Sequence, residues 1–169
     1  MTSTLKINYK EYPECMFAMI AAYLPIDDAE VLVPATGKVV FRHKNREGST
    51  YKNGLLHSYD DKPAIFCKIS GQKIWFKDGK RHREGDLPAI ESPSQLTWYK
   101  NGVVHREGDL PAKIWLNISK ISRILGPVSE EWYINGELHR EGNMPAVIDY
   151  CINLQEYWIN GEYLCSETL

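Results

Sequence analysis

The sequence is short of most features that announce a particular chemistry. Its longest apolar run, Met16 to Leu24 (MFAMIAAYL), is nine residues long, whereas a bilayer takes ~20, so no membrane contact through a span is expected. There is no basic surplus either. The 20 Lys and Arg stand against 22 Asp and Glu, for a formal charge of −2. This gives neither the footprint of a nucleic-acid protein nor polybasic attraction to an anionic membrane. Cysteine is sparse, and Cys15, Cys67, Cys151 and Cys165 form no C-x-x-C pair. The opening residues place Lys6 and Lys10 around Asn8 without an apolar core, so no secretory leader is expected. Free thiols and an intracellular, non-secreted protein follow. G-x-S-x-G, P-loop and dinucleotide fingerprints are also missing, and with them the strongest sequence arguments for an enzyme.

What is present is a globular composition, 43% hydrophobic and 25% charged, in a chain long enough for one domain with a substantial core. Within it a block recurs. TYKNGLLHSYDDKPA (50–64), WFKDGKRHREGDLPA (75–89), WYKNGVVHREGDLPA (98–112) and WYINGELHREGNMPA (132–146) align without gaps, and YWINGEYLCS (157–166) repeats the first half. The fixed positions are the tryptophans Trp75, Trp98 and Trp132 (Thr50 in the first copy), Gly54, Gly79, Gly102 and Gly136, then His57, His82, His105 and His139. Pro63, Pro88, Pro111 and Pro145, each followed by alanine, complete the set. From Gly54 through to Gly161 of the half-copy, the glycines step by 25, 23, 34 and 25 residues. Length therefore varies after Pro-Ala, with an insertion inside 113–131, as expected of connections.

Asn-Gly or Asp-Gly between short β-prone runs predicts a hairpin, because a type I′ turn needs positive φ at both central residues. A two-residue turn at Asn101-Gly102 then sets Lys100 opposite Val103, Tyr99 opposite Val104 and Trp98 opposite His105. Pro-Ala restarts an extended strand, giving two or three strands per repeat. Large residues fall on both faces of this ladder, so the second face must be covered or the ladder must curl. The repeats are placed at 50–74, 75–97, 98–131 and 132–156, with a partial fifth at 157–169. Residues 1–49 depart from the pattern and are read as an N-terminal cap. Its predicted elements are a strand through Leu5, Ile7 and Tyr9, a helix over the Met16 run, and a strand at 38–42. The predicted fold class is all-β with one short N-terminal helix, built from tandem hairpin repeats in one continuous domain. The broken fifth unit leaves an edge strand, a site for homo-oligomer formation.

The repeated histidines and acids invite a metal reading, but ligands must lie within ~2.3 Å of one ion. Equivalent residues of successive two-strand units are separated by roughly 10 Å. No metal ligands, catalytic residues or cofactors are assigned, since catalysis needs one asymmetric constellation rather than a copied one. Each imidazole is expected to pack on its tryptophan and bond the polar turn, and the tryptophans to fill the core. Candidate binding residues are Trp115, which lies outside the pattern, and Arg83, Arg106 and Arg140, whose Arg-Glu pairs are either a solvated face or a ladder that reads a partner.

The blocks WYKNGVVHREGDLPA and WYINGELHREGNMPA resemble the tryptophan-rich HREGDLPA-type repeats of proteins from large DNA viruses of amoebae and some bacteria and phages. The period and hairpin unit also resemble, more distantly, the MORN (membrane occupation and recognition nexus) repeat, whose usual pattern lacks the histidine and the Pro-Ala. The likeness covers about residues 50–165 and implies a solenoid-type antiparallel sheet, but no reaction. It implies an assembly or host-contact role, in the host cytoplasm or the virion. The expectation is a non-enzymatic repeat protein with a protein partner and no nucleic acid or membrane. The alternative is a carbohydrate- or nucleic-acid-binding module with an aromatic-lined groove.

Overall fold

The computed structural model describes residues 29–32, 39–43, 46–52, 55–117 and 126–169. The helix predicted at 16–24, the strand predicted around 5–9 and the first turn, with Gly54, lie outside them. Among the described residues the chain is all β, has no helix and pairs its strands antiparallel.

Three strands lead in: Ala29–Leu32 (β1), Val39–His43 (β2) and Arg46–Lys52 (β3), paired in succession. β2 lies one residue from the strand predicted at 38–42. The first repeat continues from β3 through Leu55–Leu56 (β4) to Ile65–Cys67 (β5). The second runs Lys73–Ile74 (β6), Phe76–Lys77 (β7), Lys80–Arg81 (β8) and Ile90–Ser92 (β9). In the third come Gln95–Thr97 (β10), Tyr99–Lys100 (β11), Val103–Val104 (β12) and Lys113–Leu116 (β13). The fourth has Pro127–Glu131 (β14), Tyr133–Ile134 (β15), Glu137–Leu138 (β16) and Val147–Asp149 (β17). Leu154–Ile159 (β18) and Glu162–Thr168 (β19) form the fifth.

The long sheet follows the order β1-β2-β3-β5-β6-β9-β10-β13-β14-β17-β18-β19. Pairings inside a repeat (β6 with β9, β10 with β13) alternate with hairpins between repeats (β9 with β10, β13 with β14). The inner hairpins β7–β8, β11–β12 and β15–β16 are separate two-stranded ladders. Counted from the strand that precedes each tryptophan, two to five residues ahead of the boundaries read from the sequence, a full repeat contributes four strand segments, not two or three. The hairpin register is the predicted one, Tyr99 facing Val104 and Lys100 facing Val103. Asn101 and Gly102 have φ of 53° and 95°, the left-handed pair a type I′ turn demands.

The tryptophan is the pivot between the two ladders. Trp98 donates its backbone N–H to Ala112 O at 2.8 Å, extending the outer ladder, and accepts from His105 N at 3.2 Å, extending the inner one. Trp75 does the same with Ala89 and His82, Trp132 with Ala146 and His139, and Thr50 with Ala64 and His57. On the opposite strand the chain makes an eight-residue excursion, 105–112 in the third copy, before the outer ladder resumes. Large residues on both faces are thus accommodated by interrupting the ladder at each tryptophan. Repeat-to-repeat length differences fall at the tips of the inter-repeat hairpins. The insertion is confined there too, because 113–116 and 127–131 are themselves strands.

Trp75, Trp98 and Trp132 are buried, and the alanines Ala64, Ala89, Ala112 and Ala146 are fully so. Truncating a buried aromatic removes its transfer free energy and leaves a cavity. Trp98→Ala is expected to cost ~3–5 kcal/mol, read from chemical denaturation. An unchanged melting temperature would remove this ring from the core.

Candidate functional site

Two joints tie each of the first three repeats to the next, the fourth and fifth sharing only the first of them, and both are built from the copied polar residues. The first captures the turn. In the third repeat the turn's Asn101 N–H donates to His82 Nδ1 of the preceding repeat at 3.2 Å, and Gly102 N–H donates to Arg81 O at 2.9 Å. The same pair of bonds joins Asp78 and Gly79 to His57 and Leu56, Asn135 and Gly136 to His105 and Val104, and Asn160 and Gly161 to His139 and Leu138. A ring nitrogen that accepts a backbone N–H carries no proton, so the neutral imidazole has its proton on Nε2. Nε2 in turn faces the repeat's own glutamate, 3.1 Å from Glu84 at His82 and 3.0 Å from Glu141 at His139. The predicted hydrogen bond to the polar turn is made at His139, whereas Nε2 of His82 and His105 is buried without a hydrogen-bond partner, and in all three copies the other nitrogen serves the following repeat.

The second joint centres on tryptophan. The Arg106 guanidinium lies 3.8 Å from the Trp98 ring centroid, donates two bonds to the Asp86 carboxylate of the preceding repeat at 2.9 Å each, and reaches Pro111 O at 3.1 Å. Trp98 Nε1 donates to the backbone oxygen of the same Asp86 at 3.0 Å. Arg83 with Trp75 and Asp61 repeats this arrangement, as does Arg140 with Trp132 and Asp109. The arginine side chains are only 11–14% exposed, so these three candidates sit within joints. Their glutamate neighbours Glu84, Glu107 and Glu141 are exposed. The Arg-Glu pairs thus divide their work, one side chain turned into the joint and one into solvent.

Trp115 is also engaged. Its Nε1 donates to Glu131 Oε1 at 2.7 Å, with Lys113 Nζ 4.8 Å from its ring centroid. Glu131 further accepts from Tyr133 Oη at 2.7 Å and pairs with Lys113 at 3.2 Å. Burial, with the carboxylate beside it, raises the Tyr133 phenol's pKa well above its usual value. Just beyond β17, on the other edge of β14, Tyr150 donates to Glu130 at 2.6 Å, and burial followed by that carboxylate pushes it up to about 12. Both phenols are protonated donors across the ordinary pH range. Neither is poised as a general base.

An open cleft of about 420 Å³ lies at the joint of the third and fourth repeats, lined by Leu110, Trp132, Ile134, His139, Glu141 and Met144 among others. Among the described residues no group of three His, Cys, Asp or Glu side chains could hold a metal ion. Cys151 and Cys165 are exposed free thiols.

The joints have a pH signature. Hydrogen bonds from Arg83 and Arg106 hold the Asp61 and Asp86 carboxyls below the usual range, against a smaller opposing effect of burial. A carboxyl whose folded pKa is depressed stabilises the fold fully above its unfolded value of about 3.9, and that contribution is lost as pH falls through the folded value. The melting temperature is expected to fall below about pH 4. The Asp61→Asn, Asp86→Asn double variant, already weaker at neutral pH, should lose less over that window. Parallel pH curves for the two proteins would show that these pairs contribute nothing.

Compared with protein-family models, curated proteins and solved structures, the chain matches none.

Proposed function

We propose that the chain is a non-enzymatic repeat array that binds another protein or assembles with copies of itself. The observation that supports this reading is how the side chains are divided. The copied polar groups (His, Arg, Asp and the indole N–H) are engaged between repeats, while Leu87, Leu110 and Met144, at equivalent places in three repeats, are exposed. An apolar row on a rigid ladder suits protein contact better than chemistry. β19, hydrogen-bonded to β18 alone in the sheet order, carries exposed Tyr163 and Leu164 and offers a second route through strand addition.

The repeat boundaries at 75, 98 and 132, the MORN-like character of the unit, and a viral origin with a virion or host-contact role belong to the same proposal. The first is supported by the pivot tryptophans and the others by the motif resemblance. The alternative, a carbohydrate- or nucleic-acid-binding module, is favoured by one observation, the partly aromatic cleft between the third and fourth repeats.

Affinity capture from expressing cells, with light scattering of the purified chain, tests the first reading. The expected outcome is a stoichiometric protein partner, or a mass above the monomer at high micromolar concentration. A monomer that captures no protein yet binds a glycan or oligonucleotide in a screen would replace it with the second.

A further inference from the structure

The repeats differ at one place where the cleft lies. In the second repeat Lys77 Nζ meets Glu84 Oε1 at 2.6 Å, and in the third Lys100 pairs with Glu107 in the same way. Each carboxylate thus sits between the repeat's own histidine and its own lysine, and each is lowered in pKa first by the lysine. In the fourth repeat the lysine is replaced by Ile134. Among the described residues Glu141 has no lysine or arginine partner and keeps only His139, at 3.0 Å. Its side chain is 87% exposed, against 73% and 72% for Glu84 and Glu107.

The charges around it are already matched. Arg106 is bound to Asp86 and Arg140 to Asp109, which leaves Glu141 as the uncompensated charge on the cleft wall. Beside it stand the exposed apolar side chains of Ile134, Met144 and Leu110. An aliphatic stem ending in a cation complements that surface, and the second and third repeats show the pairing made with a lysine of the chain itself.

We propose that this cleft receives a lysine side chain from a protein partner, its stem against Ile134 and Met144 and its ammonium on the Glu141 carboxylate. The inference rests on the reading of the array as a protein-binding module and names the chemistry that the module selects. An isolated exposed ion pair is weak, so one lysine selects within a larger contact and does not hold a partner alone.

The test uses the full chain, isotopically labelled, titrated with acetyl-Gly-Lys-Gly-amide and with its norleucine counterpart, following the Trp132 indole and the amides of His139 and Glu141 by NMR. Localised shifts are expected with the lysine peptide. The apparent Kd should weaken about fivefold with norleucine or in Glu141→Gln. Ile134→Lys, which installs the residue present at the matching position of the first three repeats, should abolish the shifts without unfolding the chain. Equal binding of the norleucine peptide, unchanged binding by Ile134→Lys, or no localised shift overturns the site. If the site fails while affinity capture still yields a protein partner, the interaction reading stands without it. If neither is found, both fall.

Discussion

Each pivot tryptophan is held by groups from two different repeats. Its own repeat lays an arginine across the ring, and the preceding repeat supplies both the carbonyl that takes the indole N–H and the carboxylate that grips that arginine. Magnitudes separate the roles. Burying the indole contributes a few kcal/mol, while a cation over an aromatic face adds ~0.5–2 kcal/mol. The aspartates are about half exposed, so each ion pair is screened and worth ~1 kcal/mol or less. Apolar burial holds the stack together, and the two-pronged arginine fixes how one repeat sits on the next. The histidine joint adds direction, since acceptors always come from the earlier repeat and turn donors from the later one.

That direction accounts for residues that break the motif. The first copy has Thr50 for tryptophan and Ser58 for arginine, the two groups that would receive an earlier repeat, yet it keeps His57 and Asp61, which serve the next one. At the far end the fourth copy keeps His139, which captures the Asn160 turn, but carries Asn143 where the others have aspartate. No arginine follows it, because Cys165 occupies that place in the fifth unit. A carboxylate there would be a charge without its clamp. In both copies the arginine–aspartate clamp is broken on the side where no repeat of the full pattern adjoins.

Much of this was legible in the sequence, and the division follows contact range. Asn-Gly and Asp-Gly specify a turn locally, so the register of Tyr99 on Val104 can be counted from the glycine. The tryptophans' burial follows from their size and period. The excursion from His105 to Ala112 could not be read, because its residues are chosen for partners about 20 positions away, Asp86 for Arg106 and His82 for Asn101. Histidine and tryptophan do face each other across the hairpin, yet the imidazole's acceptor is spent on the next turn. Trp115 shows the same limit. Being outside the pattern marked it as a candidate binding residue, whereas its indole N–H is bound within the chain to Glu131 on the adjoining strand, a contact visible only once the strands flanking the insertion are paired.

In a stacked array, copying and specificity pull in opposite directions. A residue that must make the same joint several times is fixed by its neighbours on both sides and has little freedom to adapt to a partner. Functional discrimination therefore belongs to positions where one copy departs from the others without harming a joint. Ile134 is such a position among the second to fourth repeats, since Lys77 and Lys100 bridge to their own repeat's exposed glutamate and such exposed pairs contribute little to stacking. The insertion between β13 and β14 is another, since it follows one strand of the sheet and precedes the next. Both belong to the third and fourth repeats. The two repeats that carry these departures also form the open cleft, which is where selection for a partner can act without unstacking the ladder.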